Sequence, residues 1–229
     1  MSSKSLRPLR ERPGHGTQLS ERVANRVREA IMLGELTSPD YIRTEKLAAE
    51  LGVSPTPVRE ALMALSSEGS VKWEPRRGFR VVAVTSQDIR DLFDVQAYAA
   101  GELAARAVDN FTDDDIADLT AIQAAIDAAY QADQVGEVVA LNHQFHRKIN
   151  RAARSTRLAS LLRNTVSHVP LSSYDEIPGW SQASVDDHAP ILSAIAARDR
   201  EAAKAAMYQH IVHVGEQLID YLQTQRQSG

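Results

Sequence analysis

The stretch TEKLAAELGVSPTPVREALMALSSEGSVKWEPRRGFRVV, running from Thr44 to Val82, decides the fold. Leu47, Ala48 and Leu51 recur at helical spacing and stop at Gly52, a residue suited to the left-handed position that ends a helix. Beyond Val53, a second helical pattern carries Val58, Ala61, Leu62 and Leu65 on one face and ends at Gly69. Two short helices joined by a tight Gly-containing turn predict a helix-turn-helix. A β-ribbon is expected next: Val71-Lys72-Trp73, a turn from Pro75 to Gly78, then Phe79 to Val82. Ser54, Pro55, Thr56 and Arg59 stand at the start of the second helix, the end that meets base edges and phosphates when such a helix enters a major groove. Arg76 and Arg77 sit at the ribbon tip, placed to reach the neighbouring backbone or the minor groove. The helix pair alone fits any small unit with a basic rim, and the ribbon with Arg-Arg-Gly at its tip tilts the reading to DNA.

Working outward to the amino terminus, Ser20 is an N-cap candidate for a bracing helix with Val23, Val27, Ala30 and Ile31 inward and Gly34 closing it. Tyr41-Ile42 is expected to add a short strand to the ribbon. Residues 1–18, with four Lys or Arg, two Pro, two Gly and little apolar periodicity, read as a mobile tail, and His15 as a tail residue without a ligand role. The winged helix-turn-helix DNA-binding domain is therefore placed at 19–84.

Toward the carboxyl terminus, β-branched runs disappear after Thr85. Six helices are predicted, at about 86–109, 112–131, 133–152, 155–170, 184–198 and 199–225. Ser86, Thr112, Asp133 and Ser155 stand at plausible N-caps, and Asp113, Asp114 and Asp115 suit the positive end of the second of these helices. Pro170 to Ser181 reads as a loop, and Val84 to Gln87 as the linker between the two domains. The fold class is mainly α, an N-terminal winged helix-turn-helix followed at 85–229 by an all-α bundle of six helices.

The chain carries a net charge of −4, but residues 1–84 hold +4 and the remainder −8, a basic head on an acidic body. Absence of cysteine excludes disulfides and thiolate chemistry. No apolar run approaches about 18 residues and no signal-like segment opens the chain, so a soluble, cytoplasmic protein without a membrane partner is expected.

The bundle holds six of the seven histidines. Val135, Val138, Asn142, Phe145, His146 and Ile149 share one face of the third bundle helix, with Asn142 and His146 at i and i+4. Ala203, Met207, His210, Val214, Leu218 and Tyr221 form a similar stripe on the last helix, and His188 precedes the inward Ile191, Leu192 and Ile195. Three histidines and an amide thus point into one bundle, a donor set suited to Zn²⁺, Ni²⁺ or another borderline divalent metal. A lone inward histidine is more often a hydrogen-bonded core residue; convergence of three changes the balance. His143 and His213 fall off the apolar stripes and read as flanking residues, and His168 as surface.

The wording GVSPTPVREAL…EG…RRGF resembles the winged helix of the GntR family of bacterial transcription regulators. That resemblance implies DNA contacts by Thr56, Arg59, Arg77 and Gly78. Two departures stand out, Pro55 and Glu45 at places where relatives usually carry arginine; neither can donate to guanine or phosphate. Residues 86–225 resemble the FCD domain of the FadR-type subfamily in the phrases Leu141-Asn142-His143-Gln144-Phe145-His146, Asp187-His188-Ala189-Pro190-Ile191-Leu192 with Ala197-Arg198-Asp199, and Ala206-Met207-Tyr208-Gln209-His210-Ile211. The resemblance implies that Asn142, His146, His188 and His210 hold one metal ion. Gln96 stands where relatives often place an arginine that clamps an effector carboxylate, with Ala100 where a glutamate would follow. Six bundle helices rather than seven would point to the VanR-like branch.

The combined expectation is a transcription regulator, not an enzyme. It would sense a small-molecule effector, an organic acid or related metabolite, through a metal-containing domain and bind an inverted-repeat operator as a homodimer. The rivals are a metal-free ligand sensor, an architectural DNA binder whose histidines are only core, and a metallohydrolase, which the lack of an HExxH-like spacing disfavours.

Overall fold

Glycine placement sets the first architecture. In the computed structural model, which describes residues 19–166, 168–169 and 177–228, helix α2 (Thr44–Leu51) ends where Gly52 adopts φ 68°. The N–H of Val53 then reaches back to Ala48 O at 3.0 Å and that of Gly52 to Ala49 O at 3.3 Å, a Schellman closure. Helix α3 (Pro55–Ser67) begins with Pro at its first position, where the missing N–H has no intrahelical partner to lose. It ends the same way, with Gly69 at φ 83° and Ser70 N–H on Leu65 O at 3.0 Å.

Strands β1 (Tyr41–Ile42), β2 (Val71–Glu74) and β3 (Gly78–Val81) form an antiparallel sheet in the order β1-β3-β2. Tyr41 faces Arg80 and Trp73 faces Phe79. A Cβ on Gly78, itself at φ 101°, would lie 2.5 Å from Ile42 O, so the short strand can lie against the wing only because residue 78 has no side chain. Helix α1 (Leu19–Met32) closes the unit by burying Val23, Val27 and Ile31 against Leu47, Val58, Leu62, Leu65, Val71, Phe79 and Val81. Full burial of each such aliphatic side chain contributes about 1.5–3 kcal/mol.

A second unit begins at Ser86. It comprises α4 (Ser86–Val108), α5 (Asp113–Gln131), α6 (Val135–Ala152), α7 (Thr156–Val166), α8 (Trp180–Asp186), α9 (His188–Ala196) and α10 (Arg200–Ser228). The long α4 and α10 pack closely because their contact faces carry small residues. A Cβ on Gly101 would meet Lys204 O at 2.9 Å, and one on Gly215 would meet Phe93 Cγ at 2.6 Å. Thr112 caps α5 in a reciprocal capping box with Asp115.

Three expectations change. The single helix predicted over 184–198 is two, α8 and α9, so the bundle has seven described helices and the count no longer points to a six-helix branch. Pro190 accounts for the break: it has no N–H to donate to the carbonyl of Asp186, and its ring would clash there. Asp133 does not cap α6; it takes φ 55° at the end of α5, donating its N–H to Tyr130 O at 3.0 Å. The helix predicted over 155–170 ends at Val166. The tail of 1–18 with His15, and residues 170–176 of the predicted loop, lie outside the described residues.

Candidate functional site

Two chemically distinct faces emerge, one in each unit. In the first, Ser54, Thr56 and Arg59 are exposed at the start of α3, and Arg76 and Arg77 are exposed at the wing tip, with Gly78 half-buried beneath them. Arg43, Arg59, Arg76 and Arg77 line one cleft of about 380 Å³ together with Trp73 and Glu45. Arg77 is held in place: its Nη1 donates to the Tyr41 hydroxyl at 3.2 Å and its guanidinium lies 5.7 Å from that ring centroid. The Tyr41 hydroxyl in turn donates to Glu74 at 2.7 Å, and Arg80 binds the other Glu74 oxygen at 2.8 Å. The Tyr41 hydrogen bond, and then the one from Arg80, hold the Glu74 carboxyl below the usual carboxylate range. A strand of two residues thereby presents one wing arginine in a fixed orientation. Such a surface suits a polyanion of regular shape.

The second face lies inside the helical unit. His146 from α6, His188 from the first position of α9 and His210 from α10 each place a ring nitrogen within 4.8 Å of the others. His188 and His210 are buried and His146 is half-buried. The Phe145 ring stacks on His188 with centroids 4.1 Å apart and planes 6° from parallel.

Hydrogen bonds set the tautomer of two of these rings. Gln123 on α5 donates its amide nitrogen to Asp127 at 2.8 Å and toward Ser184 O at 3.4 Å, both acceptors only, which turns its amide oxygen to His188 Nδ1 at 2.9 Å. His188 Nδ1 must then carry the proton, leaving Nε2 with a lone pair. That Nε2 is buried with no hydrogen-bond partner. His210 Nδ1 lies 3.2 Å from the Asp187 carboxylate, which likewise turns the lone pair of neutral His210 to Nε2. His210 Nε2 and His146 Nε2 face each other at 3.3 Å. A proton between two such nitrogens, or a cation in its place, satisfies both.

Burial, followed by the neighbouring His210 and His143, drives the His146 pKa well below the ordinary imidazole value. Burial, followed by His210 and His146, does the same to His188. Both rings are therefore neutral at pH 7, the state in which imidazole ligates metal. Asn142, one helical turn before His146, has its side-chain oxygen buried without a partner. Orphaned buried acceptors on Asn142 and His188, beside the facing Nε2 atoms of His146 and His210, form a donor set that fits a borderline divalent cation, and the three histidines could hold such an ion.

Residues 91–213, more than half of the chain, match the FCD domain, and residues 19–81 match the bacterial regulatory proteins of the gntR family. The chain belongs to the GntR family. Among relatives of this GntR-family protein is the HTH-type transcriptional regulator YdhC of Bacillus subtilis, 24% identical over 200 residues that cover 85% of this chain and 88% of that one. The gluconate operon transcriptional repressor of Bacillus licheniformis is 26% identical over 200 residues, 82% of this chain and 80% of that one. Among solved structures, Escherichia coli McbR/YncC shares the fold with a TM-score of 0.64 at 22% identity, covering 92% of this chain and all of that one. The relatives are transcriptional regulators and not enzymes, so the hydrolytic alternative is set aside.

Gln96, the effector residue implied by resemblance, is buried in α4 with its amide nitrogen on the Thr165 carbonyl at 3.2 Å. That contact ties α4 to α7. His213 is half-exposed and binds the Asp187 carboxylate at 2.7 Å, so it flanks the cluster through Asp187. His168, read as surface, is half-buried, and it is not among the clustered histidines. Gln123 and Asp187 are the residues that sequence reasoning missed. Asp187 had a signal in its position directly before His188; Gln123 had none, since it sits on another helix 65 residues away in sequence.

Proposed function

We propose that this GntR-family, DNA-binding transcription regulator holds one divalent metal ion, Zn²⁺ or Ni²⁺ by donor type, on Asn142, His146, His188 and His210 and senses a small-molecule effector there. The observation that carries the reading is the pair of orphaned buried acceptors, Asn142 Oδ1 and His188 Nε2, beside the facing imidazoles of His146 and His210. When bound, such an ion supplies a Lewis-acidic position for an oxygen of the effector. The chain's own residues do the rest: Gln123 and Asp187 fix two ring tautomers, and Phe145 shields one face of His188 from water. A relative named for the gluconate operon supports an organic acid as the effector class. Gln96 is assigned to the effector pocket by resemblance, and its neutral amide would offer such an acid a hydrogen bond without a charge.

Ser54, Thr56, Arg59, Arg76, Arg77 and Gly78 are proposed to meet the operator, an inverted repeat read by a homodimer in the cytoplasm. The effector would act by its differential affinity for the placements of the two DNA-reading heads. Elemental analysis of the full-length protein after incubation with Zn²⁺ or Ni²⁺ tests the metal site. One equivalent per chain is expected, lost in His188→Ala and in His210→Ala, with chelation lowering the Tm of the wild type. Metal at 100 times its Kd adds about 2.7 kcal/mol of stability to a fold that alone binds it. Wild-type protein that takes up neither ion would make the cluster a hydrogen-bonded pocket and the protein a metal-free sensor.

A further inference from the structure

A carboxylate stands on the arginine face where it should weaken attraction to phosphate. Among the described residues, Glu45, in the first turn of α2, is the only acidic one that lines the cleft with Arg43, Arg59, Arg76 and Arg77. Its Oε1 lies 3.9 Å from Arg59 Nη2, and the two side chains are 75% and 67% exposed. Packing explains neither position, and an ion pair this exposed adds little to stability. Arg77 is engaged by the Tyr41 hydroxyl, and Arg59 is the guanidinium that Glu45 pairs with.

The chemistry of the major groove says what this couple can read. A carboxylate has no donor for phosphate, for guanine O6 or for thymine O4; its partners are the exocyclic amino groups. Cytosine presents N4 without an adjoining acceptor, whereas adenine places N7 beside N6 and would repel the second carboxylate oxygen. Carboxylates accordingly read cytosine, and arginine reads guanine through O6 and N7. Those groups lie side by side on one G·C pair, or about 3.4 Å apart along the axis on successive pairs. The 3.9 Å separation of Glu45 and Arg59 suits either arrangement.

We propose that Glu45 and Arg59 act as one base-reading couple, Arg59 donating to a guanine and Glu45 accepting from the amino group of a cytosine in the same or the adjoining base pair. This rests on the assignment of α3 and the wing to the operator. The couple makes Glu45 a specificity-determining residue that lowers affinity for DNA at large and raises discrimination at one position of each half-site.

The test uses the full-length protein and a pool of duplexes with a randomised 20-base-pair core, sequenced after selection, followed by competition between the selected duplex and the same duplex with that cytosine pair changed to thymine. Wild type is expected to enrich a G and a neighbouring C in each half-site and to favour C over T about tenfold or more. Glu45→Gln is expected to lose most of that preference while binding non-specific DNA more tightly, and Glu45→Arg to exchange the preferred C for G. A Glu45→Gln protein with the same consensus and the same C-to-T ratio, or with affinity raised equally on every sequence, would reduce Glu45 to general electrostatics and overturn the proposal. Wild type that enriches no sequence would instead remove the operator reading itself.

Discussion

At the scale of single residues, the histidine cluster couples stability to pH with a definite sign. His146 and His188 titrate well below an ordinary imidazole because burial opposes their charged forms. The unfolded chain therefore binds protons that the folded chain refuses once pH falls below about 6.5, the free histidine value. Stability contributed by the two neutral rings is complete above that pH and declines as pH falls toward their folded values, by at most about 1.4 kcal/mol per pH unit for each ring. Urea midpoints of metal-stripped protein at pH 7.5 and 5.5 should show the loss, and a variant with both rings replaced by Gln should show less of it. Equal pH slopes for the two proteins would contradict the burial of these rings. Metal retention should decline only at the lower pH where the folded rings themselves take up protons, since a protonated imidazole has no lone pair to give.

At the scale of elements, one tight contact between α4 and α10 rests on what residue 215 lacks. Gly215 of α10 faces the Phe93 ring of α4 with no room for a methyl group, whereas Gly136 in α6 faces open space. Gly215→Ala should destabilise despite the better helix propensity of alanine, because overpacking a tight contact costs about 1–3 kcal/mol. Gly136→Ala should be neutral or stabilise by up to about 1 kcal/mol, since only the backbone entropy of the unfolded chain changes. Thermal melts of the two variants would decide it, and an equally stabilised Gly215→Ala protein would show that α4 and α10 can separate freely.

At the scale of the whole molecule, the proposed inverted-repeat operator calls for a protein that is two-fold itself. Helix α4 exposes Val95 and Tyr98, 56% and 60% accessible and three residues apart on one face, more apolar surface than a solitary helix needs to show water. Light scattering at tens of micromolar should report twice the 25.2 kDa chain mass, and Val95→Asp should shift the mass toward the monomer. A wild-type monomer at that concentration would leave DNA as the place where two copies meet.

Local pattern was enough for the DNA-reading unit: Gly52, Gly69 and Gly78 mark where the chain must turn, and the stripes of Leu47, Val58 and Leu62 mark what it buries. Helical periodicity likewise aimed His146 and His210 inward, because the spacing of one helix fixes which residues share a face. Periodicity says nothing about what lies across that face. That Gln123 from α5 and Asp187 beside the break orient two imidazoles, and that Asn142 Oδ1 and His188 Nε2 end without partners, are consequences of how helices meet. The same holds on the winged unit. Sequence placed Glu45 and Arg59 in different helices; only the packing of α2 on α3 set a carboxylate 3.9 Å from the Arg59 guanidinium. Local chemistry determined the elements and their faces, whereas contacts between residues far apart in the chain, which depend on interhelical geometry, were decided by the tertiary structure alone.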